Sequence, residues 1–198
     1  MKIRGLYAIT PEEGTTADLL EKLRAALEGR IALLQYRRKK RNATEAWQVV
    51  ELAHSYGVRV VINDDVALAL EVGADGAHLG RDDGDLALAR KLLSRRILGA
   101  TCYDDLGAAQ AAVRAGADYV AFGSVFASPT KPAAVRAPLS LLGEARALGV
   151  PLAAIGGITL ENASQALAAG ADLLAVISDL FDASDIRARA REYGRLYL

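Results

Sequence analysis

Residues 115–123 read Ala115-Gly116-Ala117-Asp118-Tyr119-Val120-Ala121-Phe122-Gly123, and this stretch decides the fold. An alanine-rich helical segment runs into the glycine, which supplies the left-handed conformation that closes helices. A short apolar run follows at once, bounded by turn residues, as a strand should be. The same grammar occurs at Val72-Gly73-Ala74-Asp75-Gly76-Ala77-His78-Leu79-Gly80 and at Ala169-Gly170-Ala171-Asp172-Leu173-Leu174-Ala175-Val176-Ile177. One helix-to-strand unit of this kind is ordinary. Three in one chain indicate a repeated construction.

The rest of the chain fills in the pattern. Strands are expected at 6–10, 32–37, 60–64, 77–80, 97–102, 119–126, 152–158 and 173–178. Segments with helical apolar spacing separate most of them, for example Leu19, Leu20, Leu23 and Leu27. The strands are apolar on both faces, as parallel strands covered by helices are. Eight strands, most followed by a helix, close naturally into a (β/α)8 TIM barrel. The runner-up is an open doubly wound sheet, but no GxGxxG turn follows the first strand. The chain of 198 residues is read as one α/β domain, 1–198, at the short end for this fold.

Composition narrows the function. Lys+Arg and Asp+Glu are both 24, so no general affinity for nucleic acid or for an acidic membrane is expected. No apolar run approaches the ~20 residues that span a bilayer. Cys102 is the one cysteine and has no internal partner, which fits a reducing compartment. The start, MKIRGLYAITPEEG, has no apolar core of a secretion signal, so a cytoplasmic protein is expected. The expected partners are small phosphorylated molecules, and a homo-oligomer stays open.

In such a barrel the chemistry sits at the carboxyl ends of the strands. The polar residues there fall into three themes. Arg37, Lys39 and Lys131 are cations on separate connections, and converging cations call for phosphate or diphosphate. Arg38, Lys40 and Arg41 are read as a solvated run. Asp64, with Asp82 or Asp83 on the next connection, forms the acidic theme, which suits Mg²⁺ shared with phosphate oxygens. Asp65 is assigned to capping the following helix. Gly156-Gly157, with Ile177-Ser178, forms the third theme, the phosphate site built from the loops after strands seven and eight. Ser128 and Thr130 add hydroxyls from the sixth connection. His54 is read as a surface or packing residue and His78 as structural support rather than a base. Cys102 stands at a strand end where it could line the pocket, without an activating partner. Tyr7 and Phe122 are read as packing groups.

These residues resemble the thiamine-phosphate synthase (thiamine-phosphate pyrophosphorylase) family. The pieces that carry the resemblance are LYAIT, QYRRK, INDDVALAL, GADGAHLGRDD, GATCYD, YVAFGSVFASPTKP, AIGGI and AVIS, in the family's order from residue 6 to residue 178. The resemblance implies that 4-amino-2-methyl-5-hydroxymethylpyrimidine diphosphate and a thiazole phosphate give thiamine phosphate and diphosphate, with Mg²⁺. Position by position, it puts Gln35, Arg37, Lys39 and Asn63 on the pyrimidine diphosphate and Asp64 and Asp83 on the metal. Thr101 takes a pyrimidine-contacting position where the family often has Ser. Ser128 and Thr130 fall to the thiazole phosphate with Gly157, Ile177 and Ser178, and Lys131 to the diphosphate. Tyr36, between Gln35 and Arg37, is counted with the substrate-binding residues. Arg37, Lys39, Lys131 and Thr101 are the candidates for catalytic roles. Arg81 departs from the family's common Gln.

The thiazole tautomerases are the nearest relatives. They resemble this chain in barrel and ligand type, but need a histidine in the sixth connection. Here that stretch reads Phe122-Gly123-Ser124-Val125-Phe126. A tautomerase-like protein or a non-catalytic thiazole phosphate binder is the alternative reading. An aldolase would need a lysine inside a strand, and none is placed there.

Overall fold

The three Gly-Ala-Asp motifs do one structural job. The Asp75 N–H donates to the Val60 carbonyl at 2.8 Å, and its carboxylate accepts the Val60 N–H at 2.8 Å. Asp118 does the same to Leu98, at 2.7 and 2.8 Å. Asp172 does it to Leu152, at 2.8 and 3.0 Å. Each aspartate at the start of one strand therefore clamps the start of the strand before it. The glycines ahead of them, Gly73, Gly116 and Gly170, have φ of 71°, 99° and 115°, the left-handed turn that ends the preceding helix.

The computed structural model describes residues 3–127 and 136–198. Its strands are β1 (Gly5–Ile9), β2 (Leu33–Tyr36), β3 (Val60–Asn63), β4 (Gly76–Leu79), β5 (Ile97–Tyr103), β6 (Tyr119–Phe122), β7 (Leu152–Ile155) and β8 (Leu173–Val176). They form a closed barrel in chain order. All pairs are parallel, and β8 closes on β1 with Tyr7 opposite Ala175. The helices are α1 (Thr16–Glu28), α2 (Ala43–Ser55), α3 (Val66–Glu71), α4 (Leu86–Leu93), α5 (Leu106–Arg114), α6 (Ser140–Ala145), α7 (Leu160–Ala169), α8 (Ser178–Phe181) and α9 (Ile186–Arg195). The expected (β/α)8 barrel is the fold found. No helix among the described residues is long and apolar enough to cross a membrane.

Two apolar clusters follow from the two-residue period of the strands. Tyr7, Ile9, Leu33, Val61, Ile97, Tyr119, Ala121, Ala153, Leu173 and Ala175 fill the barrel interior. Their neighbours in sequence, such as Leu6, Leu34, Ile62, Leu98, Val120 and Leu174, face the helices in the larger cluster. This alternation corrects two expectations. Tyr36 falls on the outward set, and its hydroxyl donates to Glu45 of α2 at 2.8 Å. Cys102 is also outward, 1% exposed, and burial pushes its thiol up to about 12, so it does not line the pocket.

Seven strands end sooner than expected, four of them by a single residue and β6, β7 and β8 by more, at Phe122, Ile155 and Val176. The chain must turn there. Gly156 and Gly157 have φ of 98° and 61°. A Cβ on Gly157 would lie 2.2 Å from the Ala127 carbonyl oxygen, so the seventh loop can pass under the sixth only with glycine.

Candidate active site

The carboxyl ends of the strands open together, and the inward register decides which side chains reach that opening. On β2 the inward residue is Gln35, with Arg37 two positions further on. Thr10, which is fully buried, fixes the exit of these strands. Its hydroxyl donates to the Arg37 carbonyl and accepts the Arg37 N–H, each at 2.8 Å, while its own N–H donates to the Gln35 carbonyl at 2.9 Å. The backbone that carries Arg37 is thereby locked.

Arg37 pairs with Glu12, and Lys39 with Glu13, both acids coming from the loop after β1. Of the three expected cations, Arg37 and Lys39 are thus placed at the mouth, each facing an intramolecular carboxylate. Glu12 and Glu13 were not among the sequence candidates. The signal was an acidic pair leaving one strand beside a basic run leaving the next. Arg38 does not belong to a solvated run. Its side chain is 7% exposed and donates to Glu45 at 2.7 and 3.0 Å, with Thr16 and Tyr36 completing the cluster. Burial pushes the Glu45 carboxyl up, but those hydrogen bonds outweigh it and hold it below its ordinary range.

The acidic theme assembles between β3 and β4. Asp64 follows β3 with φ of 63°, a left-handed conformation that Asp and Asn tolerate better than other side chains. Its N–H donates to the His78 carbonyl on β4 at 2.8 Å, and Asn63 Nδ2 donates to its carboxylate at 2.5 Å. Asp83 bends back so that its carboxylate accepts the Gly80 N–H at 2.8 Å, and it lies against Asp64. Asp64 is raised to about 6, by partial burial first and then by the hydrogen bond and like charge of Asp83, with Arg37 and Asn63 opposing. Two carboxylates forced together want a cation between them. Of Asp82 and Asp83, it is Asp83 that meets Asp64. Asp65 caps α3, accepting the Leu68 N–H at 2.7 Å, and Asp85 caps α4, accepting the Leu88 N–H at 2.7 Å. No group of three or more His, Cys, Asp or Glu side chains among the described residues is arranged to hold a metal ion by itself. A metal held by this pair would complete its shell with water and ligand oxygens, which is the habit of Mg²⁺.

Below the mouth, Thr101 on β5 stands beside His78, whose Nε2 is 2.7 Å from the Thr101 hydroxyl. Burial pushes His78 down to about 4, partly countered by Asp83, so the ring is neutral and not a proton acceptor of ordinary strength. Tyr103, also not anticipated, leaves β5 with φ of 54° and carries the Arg81 guanidinium 5.0 Å above its ring.

The third theme lies across the opening. Gly156 and Gly157 follow β7, and Ile177 and Ser178 open the short α8 after β8. The Asn162 side chain of α7 donates to the Gly157 carbonyl at 2.8 Å and holds this loop. The first amides of a helix have no partner within it, and here they border the mouth. Ser128, Thr130 and Lys131 lie outside the described residues.

A family model described as thiamine monophosphate synthase matches residues 6–180. This chain belongs to the thiamine monophosphate synthase family. A thiamine-phosphate synthase of Aromatoleum aromaticum is 55% identical over 202 residues, covering 99% of this chain and 97% of that one. Another from Azoarcus sp. strain BH72 is 54% identical, covering 99% and 98%. Among solved structures, the thiamine phosphate pyrophosphorylase from Pyrococcus furiosus superposes with a TM-score of 0.84 at 33% identity, covering 97% of this chain and 94% of that one. The barrel expected from the Gly-Ala-Asp repeats and the family expected from the strand-end motifs agree.

Proposed function

We propose that this enzyme joins 4-amino-2-methyl-5-hydroxymethylpyrimidine diphosphate to a thiazole phosphate, releasing diphosphate and forming thiamine phosphate. The observation that carries the reading is the division of the barrel mouth. Paired carboxylates and cations gather at β2–β4, and glycine and hydroxyl groups at β7–β8. Family membership with full-length relatives named for this product supports it. The reading includes a cytoplasmic setting, consistent with a single buried cysteine.

Asp64 and Asp83 would hold Mg²⁺. When bound, the ion would supply positive charge against the leaving diphosphate. Arg37 and Lys39 turn from Glu12 and Glu13 to the diphosphate oxygens. Lys131, from the sixth loop, adds its charge to the same group. Together these cations stabilise the charge that grows as the carbon–oxygen bond breaks. The aminopyrimidine can spread positive charge from its methylene carbon, which favours a dissociative path. Gln35, Asn63 and Thr101 hold the pyrimidine edge. Ser128, Thr130, Gly157, Ile177 and Ser178 hold the thiazole phosphate, so that the thiazole nitrogen faces the methylene carbon. No protein base is required, which suits a buried neutral His78. Catalysis is then mostly positioning and charge stabilisation.

The test is to incubate purified protein with both phosphorylated precursors and Mg²⁺, and to quantify thiamine phosphate and diphosphate by mass spectrometry. Equimolar products that vanish with chelator support the reading. Tight binding of the thiazole phosphate without product would move the protein to a binder or tautomerase.

A further inference from the structure

A continuous hydrogen-bonded chain crosses the barrel interior and joins two residues assigned to the pyrimidine. Gln35 Nε2 donates to the Tyr7 hydroxyl at 2.6 Å. The Tyr7 and Tyr119 hydroxyls are 2.6 Å apart. The Tyr119 hydroxyl is 2.8 Å from His78 Nδ1, and His78 Nε2 is 2.7 Å from the Thr101 hydroxyl. Gln35, Tyr7, Tyr119 and His78 are 3%, 1%, 0% and 5% exposed, so water does not substitute for any link. Gly99 of β5 makes the crossing possible. A Cβ there would lie 2.2 Å from the Tyr119 ring and 2.5 Å from His78 Nδ1.

Each link has one proton, so the direction set at one end fixes the other. The Gln35 amide donates to Tyr7, and a phenol has a single hydrogen. Tyr119 is the one acceptor beside the Tyr7 hydroxyl among the described residues, so that hydrogen goes to Tyr119, and the Tyr119 hydrogen then goes to His78 Nδ1. A neutral imidazole then carries its hydrogen on Nε2 and donates it to the Thr101 oxygen. Two groups are left over at the pocket end. The Gln35 carbonyl oxygen can only accept, and the Thr101 hydroxyl proton is free to donate. An aminopyrimidine edge offers the complement, an amine that donates beside a ring nitrogen that accepts.

We infer that Tyr7, Tyr119 and His78 are positioning residues, which polarise Gln35 as an acceptor and Thr101 as a donor and so select an aminopyrimidine over an oxopyrimidine. This rests on the proposed placement of the pyrimidine against Gln35 and Thr101. Reversing the Gln35 amide would reverse every link, put the histidine hydrogen on Nδ1 and turn the Thr101 proton inward.

The two directions differ in a signal that needs no substrate. The protein has two histidines, and His54→Gln leaves His78 alone in a nitrogen-15 NMR spectrum. The expected result is Nε2 protonated and Nδ1 bare; Nδ1 protonated overturns the inference. Gln35→Glu in mildly alkaline buffer leaves only an acceptor at that end, so the hydrogen should move to Nδ1. An unchanged tautomer would mean the ends are not linked. Kinetics then test the selection, with the aminopyrimidine diphosphate and its 4-oxo counterpart as probes. Tyr119→Phe keeps the ring and removes the link. It should lower kcat/KM for the amino substrate by up to about tenfold, the scale of one neutral hydrogen bond. It should narrow the amino-to-oxo preference and leave KM for the thiazole phosphate unmoved. A loss shared equally by both pyrimidines and by the thiazole phosphate would assign Tyr119 a merely structural role and refute the selection. Failure of the synthase reading would show separately, as wild-type protein that makes no thiamine phosphate while the tautomer is as expected.

Discussion

Asp64→Asn should make the metal-free protein more stable while removing its activity. The carboxyl of Asp64 is raised from 3.8 to about 6 in the fold, by partial burial and by Asp83. A group whose acid form is favoured in the native state stabilises the fold at low pH. That contribution is lost as pH rises from about 4 to about 6, and above this window the native state bears the full penalty of the charge. At 1.36 kcal/mol per pKa unit the gap corresponds to roughly 3 kcal/mol. Asp64 is open to solvent at the mouth, so screening reduces this to about 1 kcal/mol. Asparagine keeps the shape and tolerates the φ of 63°. In chelator at neutral pH, Asp64→Asn should therefore raise Tm by about 2–4 °C. The advantage should disappear near pH 4, where the native aspartate is protonated. Turnover with Mg²⁺ should collapse in the same variant. The assay is thermal unfolding across pH beside product formation. A lower Tm at neutral pH, or unimpaired turnover, would refute the reasoning that Asp64 is strained by a neighbouring charge in order to hold a cation.

Glu45→Ala strands the Arg38 guanidinium, whose side chain is 7% exposed, and should destabilise the protein by about 3–5 kcal/mol in urea unfolding. Gly157→Ala places a Cβ 2.2 Å from the Ala127 carbonyl at a φ of 61°, so it should cost more than about 1 kcal/mol and raise KM for the thiazole phosphate above that for the pyrimidine diphosphate. Glu12→Gln removes the carboxylate that faces Arg37. A partly exposed pair contributes about 0.2–1 kcal/mol, so KM for the pyrimidine diphosphate should fall by up to about fivefold. A rise instead would show that Glu12 aims the arginine rather than competing for it.

The sequence was most informative where local chemistry and topology coincide. Gly-Ala-Asp declares a helix end and a strand start within four residues, and its aspartate clamps the preceding strand. The place of Asp64 was legible because it follows directly on an apolar strand, and the structure puts it at that strand's end against Asp83. Tyr36 was misplaced because its position needs the phase of β2, which a four-residue strand does not declare. Arg38 looked like part of a solvated run because its partner, Glu45, is brought to it only by the packing of α2 on β2. The chain from Gln35 to Thr101 was invisible for the same reason, since it joins side chains from β1, β2, β4, β5 and β6 that meet only once the barrel closes.

The most direct test of the account is the Mg²⁺ dependence of the initial rate of thiamine phosphate formation, measured for the wild type and for Asp83→Asn. The account predicts a wild-type rate that stops in chelator and saturates with Mg²⁺. It predicts that Asp83→Asn needs far more Mg²⁺ or shows no turnover, with the fold retained by circular dichroism. Coincident Mg²⁺ curves for the two proteins, or full-rate product in chelator, would contradict it.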